Sequence, residues 1–199
     1  MIDPFLNCNF SYDHYTSILI EAKKFHKFST FEDYSDNDVI LRHDVDVSLD
    51  AAVKMAKIEN RLGISATYFI LFHAELYNPF NYESLRQVSE FLKLGHKIGL
   101  HYNPSLYQTK SNSSKILKKE IELTELHYET QINVVSSHDP SINKKLSIEL
   151  PHGIIDAYDE EFTINRKYLS DSVQNWREGC FCNHINKREK FQILIHPIW

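Results

Sequence analysis

The chain has 199 residues, 25% of them charged, and a net charge of −5 at neutral pH. This length suits one α/β domain, and a mild negative charge without a basic stripe argues against a nucleic-acid-binding protein. With 42% hydrophobic and 13% aromatic residues, the composition is that of a globular protein with a sizeable core.

Cysteine usage and the N-terminus point to a compartment. Three cysteines, Cys8, Cys180 and Cys182, are too few for a disulfide framework and favour a reducing environment. Cys180 and Cys182 with the nearby His184 raise the question of a zinc knot, but C-x-C is not the usual spacing and no second pair exists, so the sequence disfavours it. No signal-peptide pattern and no run of about 18 apolar residues occurs, so we expect a cytoplasmic protein without a membrane span.

Apolar residues at three- and four-residue spacing predict four amphipathic helices. They cover residues 11–28, 49–62, 83–94 and 113–130. Between and after them lie β-favouring runs that predict strands. These runs are residues 38–46, 66–71, 97–102, 133–138, 153–158, 168–171 and 191–196. Such alternation is typical of βα units in a parallel sheet, and six or seven strands favour a barrel-like (β/α) fold over an open sheet.

The first of these strands ends with two aspartates. Residues two apart in a strand face the same way, so Arg42, Asp44 and Asp46 share one face, while His43 and Val45 share the other. Two carboxylates on one face of a buried strand repel each other and resist desolvation. Arg42, a metal ion or a proton held by one of the pair can offset the charge, and the strand by itself leaves these options open.

Histidine and aspartate recur at the carboxyl ends of the predicted strands. Besides the two aspartates of the first strand, these residues are His101, His138, Asp139, Asp171 and His196. In βα barrels this end of the sheet carries the active site. Because Asp and His are also ligands of divalent cations, the pattern predicts a metal-dependent site there.

Three segments of the chain carry a family resemblance. They are Arg42-His43-Asp44-Val45-Asp46, Gly95-His96-Lys97-Ile98-Gly99-Leu100-His101-Tyr102 and Ile193-Leu194-Ile195-His196-Pro197. They resemble the polysaccharide deacetylase family (carbohydrate esterase family 4), and more narrowly the polysaccharide-deacetylase-like proteins of bacterial surface-polysaccharide synthesis. The resemblance runs from about residue 38 to the end of the sequence. It implies a distorted (β/α) barrel with about seven parallel strands, here a single domain over residues 1–199 with a helical lead-in over residues 1–37.

The resemblance also implies a role for each matching residue. Asp44 is expected to be the general base, and Asp46 and His101 are expected to bind a divalent metal, usually zinc. His196 is expected to protonate the leaving amine, and Asp171 to orient His196.

Substrate contacts are expected from four further residues, namely Arg42, Tyr102, Trp176 and Arg177. Arg42 is also expected to orient Asp44, and Trp176 to form a pocket wall. His96, five residues before His101, points to the opposite face of a regular strand and is expected to be a structural hydrogen bonder.

The chain departs from the family pattern at the metal site. Ser105 stands where the family has its second metal-binding histidine, and Asn103 stands where the narrower subgroup often has an aspartate. His138, on the next strand, is the candidate for the third ligand beside Asp46 and His101.

The resemblance predicts hydrolysis of an N-acetyl group on a cytoplasmic nucleotide-linked or lipid-linked sugar. Two other functions stay open. One is a catalytically degenerate carbohydrate-binding or scaffolding protein, suggested by Ser105 and Asn103. The other is a related amidase for a cyclic imide or ureide, which the same metal chemistry would serve.

Overall fold

The structure is a computed structural model that describes residues 9–107, 113–139, 148–187 and 189–198. Its strands are β1 (Phe28–Ser29), β2 (Val39–Val45), β3 (Thr67–Leu71), β4 (Lys97–Tyr102), β5 (Val134–Ser137), β6 (Ile155–Asp156), β7 (Lys167–Ser170) and β8 (Phe191–Ile195). Its α-helices are α1 (Tyr12–Ala22), α2 (Leu49–Arg61), α3 (Tyr82–Lys93), α4 (Ser113–Tyr128) and α5 (Glu160–Thr163). Short 3₁₀ turns cover Pro104–Tyr107, Ser172–Gln174 and Phe181–Asn183.

The eight strands of the described residues run parallel in one sheet. Seven of them follow the order β6-β5-β4-β3-β2-β8-β7, and β1 pairs with β2 outside this path. The sheet curls into a half-barrel with helices between its strands, which confirms the predicted distorted (β/α) barrel of about seven parallel strands. The central position of β2, between β3 and β8, brings the two aspartates of β2 next to the last strand of the chain. Among the described residues, no helix is long and apolar enough to cross a membrane.

The N-terminal region differs from the prediction. Helix α1 ends at Ala22, well before residue 28, and the short strand β1 then pairs with Val39 and Ile40 of β2. Phe25, which continued the apolar pattern, is 56% exposed. The pattern overextended the helix because one aromatic residue at helical spacing does not require burial.

Both faces of the sheet are buried. The outer face packs against the helices, and Leu41 and Val45 of β2 belong to this larger core. The inner face holds a smaller apolar cluster that includes Ile40 and Phe69. A side chain at Gly99 of β4 would collide with the Phe69 ring, so this glycine is required for the inner core to close.

Candidate active site

Arg42 and Asp44 form a buried ion pair on the inner face of β2. Arg42 donates to Asp44 from Nε (2.9 Å to Oδ1) and from Nη2 (2.8 Å to Oδ2). It also donates to Ser136 Oγ (2.5 Å) and to Gln192 Oε1 (3.2 Å), and its Cζ lies 4.3 Å from the centroid of the Tyr158 ring. Arg42 therefore offsets the charge of Asp44, one of the possibilities left open by the sequence.

This pairing determines the ionisation of Asp44. Burial raises the pKa of the carboxyl, but the guanidinium outweighs burial and holds the pKa of Asp44 well below its usual range. Arg42 is 0% exposed. Its burial disagrees with the prediction that Arg42 contacts substrate, because its donors are turned to protein partners, and it agrees with the role of orienting Asp44.

Asp46 lies just beyond β2, between two histidines. Its Oδ1 is 3.3 Å from His101 Nε2, and its Oδ2 is 3.7 Å from His196 Nε2. Burial raises the pKa of Asp46, but His101 outweighs burial and the pKa is lowered, so this carboxyl is also ionised. Among the described residues, Asp46 Oδ1 accepts no well-aligned hydrogen bond, although His101 is close.

The orientation of His101 suits a metal ligand. Its Nδ1 lies 2.9 Å from the carbonyl oxygen of Ser136. Since a carbonyl only accepts, Nδ1 carries the proton, and the neutral ring keeps a lone pair on Nε2. That lone pair faces Asp46 Oδ1 at 3.3 Å and Asp44 Oδ2 at 3.6 Å. Burial lowers the pKa of His101, but the two carboxylates outweigh burial and raise it, which shows that the site favours a positive charge.

His138 completes a group of three potential metal ligands. The ligand atoms of Asp46, His101 and His138 lie within 4.8 Å of one another. The rings of His101 and His138 meet edge to face, with centroids 5.2 Å apart. The donor set of one carboxylate and two imidazoles, together with the poorly satisfied Asp46 oxygen, fits a divalent cation such as zinc.

Asp171 and His196 form a hydrogen-bonded pair at the ends of β7 and β8. His196 Nδ1 lies 2.6 Å from Asp171 Oδ1, and the backbone N–H of His196 donates to both oxygens at 3.0 and 3.1 Å. Burial lowers the pKa of His196, but its hydrogen bond to Asp171 outweighs burial and the pKa is raised. Burial also raises the pKa of Asp171. We place the shared proton on the imidazole, because Asp171 already accepts from the backbone.

The other three residues predicted to contact substrate differ in their burial. Trp176 is half-buried and lines, with Asp171 and His196, a cavity of about 60 Å³. Arg177 is exposed. Tyr102 is 5% exposed and packs on the outer face. Its predicted substrate contact disagrees with this position, because Tyr102 follows His101 directly and alternate residues of a strand face opposite sides.

The two positions that depart from the family pattern interact with each other. Asn103 Oδ1 accepts from the backbone N–H of Ser105 (3.0 Å) and from its hydroxyl (2.6 Å). The pair forms a local turn at the start of the 3₁₀ segment Pro104–Tyr107.

Sequence reasoning missed the residues that hold the site in place. Ser136 of β5 accepts from Arg42 through its hydroxyl and from His101 through its carbonyl, so it contacts both halves of the site. Gln192 of β8 accepts from Arg42 and donates to the carbonyl of Phe162 at 2.8 Å. The sequence signal that could have identified both residues is a polar side chain at an inward-facing position of a mostly apolar strand.

A second polar cluster lies on the outer face of the sheet. It consists of His43, Glu59, Tyr15, Tyr68 and His96, and we call it the outer cluster. Glu59 Oε1 lies 2.8 Å from His43 Nε2 and accepts from Tyr15 at 2.6 Å, while Oε2 accepts from Tyr68 at 2.9 Å. Burial raises the pKa of Glu59, but His43 outweighs burial and the pKa is lowered.

The histidines of the outer cluster are tied to the backbone. His43 Nδ1 lies 3.1 Å from the carbonyl oxygen of Ile195, so the outer cluster connects β2 to β8 at the residue that precedes His196. His96 Nδ1 accepts from the N–H of Ala66 at 3.2 Å, and its Nε2 lies 3.0 Å from the carbonyl of Ala56. His96 thus makes the structural hydrogen bonds expected from its position in the sequence.

Several solved structures have a fold similar to that of this chain. A family 4 carbohydrate esterase from Bacillus anthracis superposes with a TM-score of 0.51 at 12% identity, covering 95% of this chain and 80% of that one. The polysaccharide deacetylase Bc1974 from Bacillus cereus gives 0.51 at 13% identity, with 80% and 79% covered. The fold is therefore that of carbohydrate esterase family 4, as the sequence motifs indicate.

A third similar structure is a mutant form of a pseudoenzyme. A mutant of this family 4 pseudoenzyme from Bacillus anthracis, with restored enzymatic activity, gives a TM-score of 0.54 at 14% identity over 81% of this chain. The chain spans 57% of the length of that protein. Neither a protein-family model nor a curated protein sequence matches the chain.

Proposed function

We propose that the protein is a metal-dependent hydrolase that removes an acyl group, specifically N-acetyl, from a sugar. The observation that carries this proposal is the position of Asp46, 3.3 Å from His101 and 3.7 Å from His196. A group that can bind a cation thereby stands next to a histidine that can transfer a proton. The esterase and deacetylase structures that share the fold support the proposal.

The metal fits the residues present, with Asp46, His101 and His138 as its ligands. A divalent cation bound there would supply an acidified water and polarise the acyl oxygen. Asp44 remains ionised beside Arg42 and is available to accept a proton, although its lowered pKa makes it a weak base.

His196 is the proposed acid. Its raised pKa keeps a proton on the imidazole, which it gives to the departing sugar nitrogen. Asp171 fixes the ring by accepting at Nδ1, which leaves Nε2 directed towards Asp46 and the reacting group. The half-buried Trp176 would form a pocket wall beside this acid.

The proposed substrate is a nucleotide-linked or lipid-linked N-acetylated sugar used in surface-polysaccharide synthesis. The three sequence motifs support this context. A cytoplasmic location and the assignment of residues 1–199 to one deacetylase-like domain stay predictions.

The first experiment combines metal content with turnover. Protein purified without a chelator is analysed for metal beside the variants Asp46→Ala and His101→Ala, and acetate release is measured on a panel of N-acetylated sugars. We expect zinc or another divalent ion, and acetate release that is lost after chelation, restored by metal and absent in both variants. Failure to release acetate in a metal-loaded, folded protein would overturn the proposal. Cyclic imides and ureides belong in the same panel, because turnover of these alone would identify the related amidase.

A carbohydrate-binding protein without catalysis is the second candidate. The Asn103–Ser105 turn favours it, because the family's second metal-binding histidine is replaced there by a residue turned to its neighbour. The fold is also found in a pseudoenzyme. Sugar binding detected by calorimetry, without acetate release and without metal uptake, would favour this candidate.

A further inference from the structure

A second group of potential metal ligands lies apart from the Asp46–His101–His138 group. It consists of His14 in the first turn of α1 and of Cys180 and Cys182 in the segment between β7 and β8. The ligand atoms of these three residues lie within 4.8 Å of one another. Thiolates and imidazoles are the ligands of structural zinc sites, whereas the candidate active site offers a carboxylate and imidazoles.

The distance within this group suits a shared ion. Cys180 Sγ lies 3.6 Å from His14 Nε2. For a tetrahedral zinc ion, with Zn–S about 2.3 Å and Zn–N about 2.0–2.1 Å, a sulfur and a nitrogen ligand are about 3.6 Å apart. A thiol donating to an imidazole can give a similar distance, so an experiment must detect the thiolate–metal bond itself.

The local structure prepares His14 for this role. The side chain of Ser11 caps α1 by accepting from the backbone N–H of His14 at 3.2 Å, which fixes the first helical turn. Cys180 is 3% exposed, while Cys182 is partly exposed and offers an ion an entry path.

His184, the histidine that the sequence places near the two cysteines, has other partners. Its Nε2 lies 2.9 Å from the carbonyl oxygen of Glu178, and its Nδ1 lies 3.1 Å from Lys187 Nζ. Both ring nitrogens are therefore engaged. The histidine that reaches Cys180 comes from the opposite end of the chain.

We propose that His14, Cys180 and Cys182 bind a structural zinc ion, separate from any metal of the active site. Two thiolates balance the charge of the ion, and a fourth position remains for water or another residue. The ion would join α1 to the segment that carries Trp176. His14 and Cys180 line the same cavity as Trp176 and His196, so the ion would hold one wall of this cavity in place.

Cobalt(II) substitution tests this site, because only a thiolate ligand produces strong near-ultraviolet charge-transfer absorption. The 199-residue chain is prepared with Asp46→Ala and His101→Ala, which removes the other candidate site, and it is stripped of metal before titration. We expect about one equivalent of Co²⁺ and a charge-transfer band of thiolate intensity. Absence of the band in protein that circular dichroism shows to be folded would overturn the proposal.

Further substitutions in the same background identify the ligands. Cys182→Ser should reduce the band to about half, and Cys180→Ser with Cys182→Ser should abolish it. His14→Ala should weaken Co²⁺ binding at least about tenfold, whereas the matched control His184→Gln should leave it unchanged. A band that persists without Cys180 and Cys182, or that depends on His184 and not on His14, would contradict the assignment.

Thermal unfolding of the same protein provides a readout that needs no substitution in the cluster. Adding Zn²⁺ to the stripped Asp46→Ala and His101→Ala protein should raise Tm reversibly, because an ion that binds only the folded state stabilises it. A Tm that does not change with zinc would also count against the structural site.

Discussion

The two faces of β2 carry polar clusters that differ in one respect. On the outer face, Glu59 is 0% exposed and accepts from both tyrosines and from His43. On the inner face, Asp46 remains partly exposed and approaches two histidines, and among the described residues its Oδ1 accepts no well-aligned hydrogen bond. Satisfied buried groups stabilise a fold, whereas groups held close with unmet interactions are available to a cation or a substrate.

Substitutions on the two faces are expected to reduce different properties of the protein. Substitutions on the inner face should reduce activity while the protein stays folded. Substitutions in the outer cluster should reduce the free energy of unfolding while the folded fraction keeps its activity. The outer cluster approaches the inner one where His43 meets the carbonyl of Ile195, the residue before His196.

The largest effect is expected from His196→Gln. Loss of the proposed general acid should lower kcat about 10³-fold, equivalent to about 4 kcal/mol of transition-state stabilisation. Tm should change little, because the His196 side chain is at the edge of the core and 13% exposed. Initial rates of acetate release and a thermal melt measure both. Unchanged kcat in this variant would remove His196 from the mechanism.

Among these variants, Glu59→Gln is expected to cause the largest loss of stability. It leaves His43 and two tyrosines without their carboxylate and should cost about 3 kcal/mol of unfolding free energy, with kcat per folded molecule retained. The stability from a lowered carboxyl pKa is present above the ordinary pKa of glutamate and is lost as pH falls through the folded-state value. The difference from wild type in urea titrations should therefore shrink towards acid pH, and a difference that grows there would contradict the ion pair.

Asp171→Asn tests the role of Asp171 beside His196 on the inner face. It removes the charge that raises the pKa of His196 but keeps an oxygen for the backbone N–H. We expect kcat to fall about 10²-fold, equivalent to about 2.7 kcal/mol. Because the imidazole then loses its proton at lower pH, the alkaline limb of the rate profile should move to lower pH. A limb that does not move would indicate that Asp171 has only a structural role.

Tyr15→Phe is the smallest of these changes. It deletes the 2.6 Å hydrogen bond to Glu59 Oε1 and keeps the ring, so it should cost about 1.5 kcal/mol of unfolding free energy. Acetate release per folded molecule should equal that of wild type. Tyr68→Phe, which removes the donor to Oε2, is the matched variant. A loss of kcat in either variant would show that the two clusters are energetically coupled.

Local pattern was sufficient for most of the fold. The predicted strand over residues 97–102 is observed as Lys97–Tyr102, and the helix predicted over residues 49–62 ends one residue earlier at Arg61. Strand β1 and helix α5 were missed, because two to four residues are too few to show a period. The family motifs likewise identified the region from residue 38 onward, and the solved structures share its fold.

The sequence alone determined the alternation of strands and helices, and it determined that Asp44 and Asp46 share a face of β2, since both follow from local periodicity. Only the tertiary structure decided which groups meet. It joined Arg42 to Ser136, His101 to the carbonyl of Ser136, and His14 to Cys180 across most of the length of the chain. Such pairings depend on strand order and helix packing, which bring together residues that no short-range pattern relates.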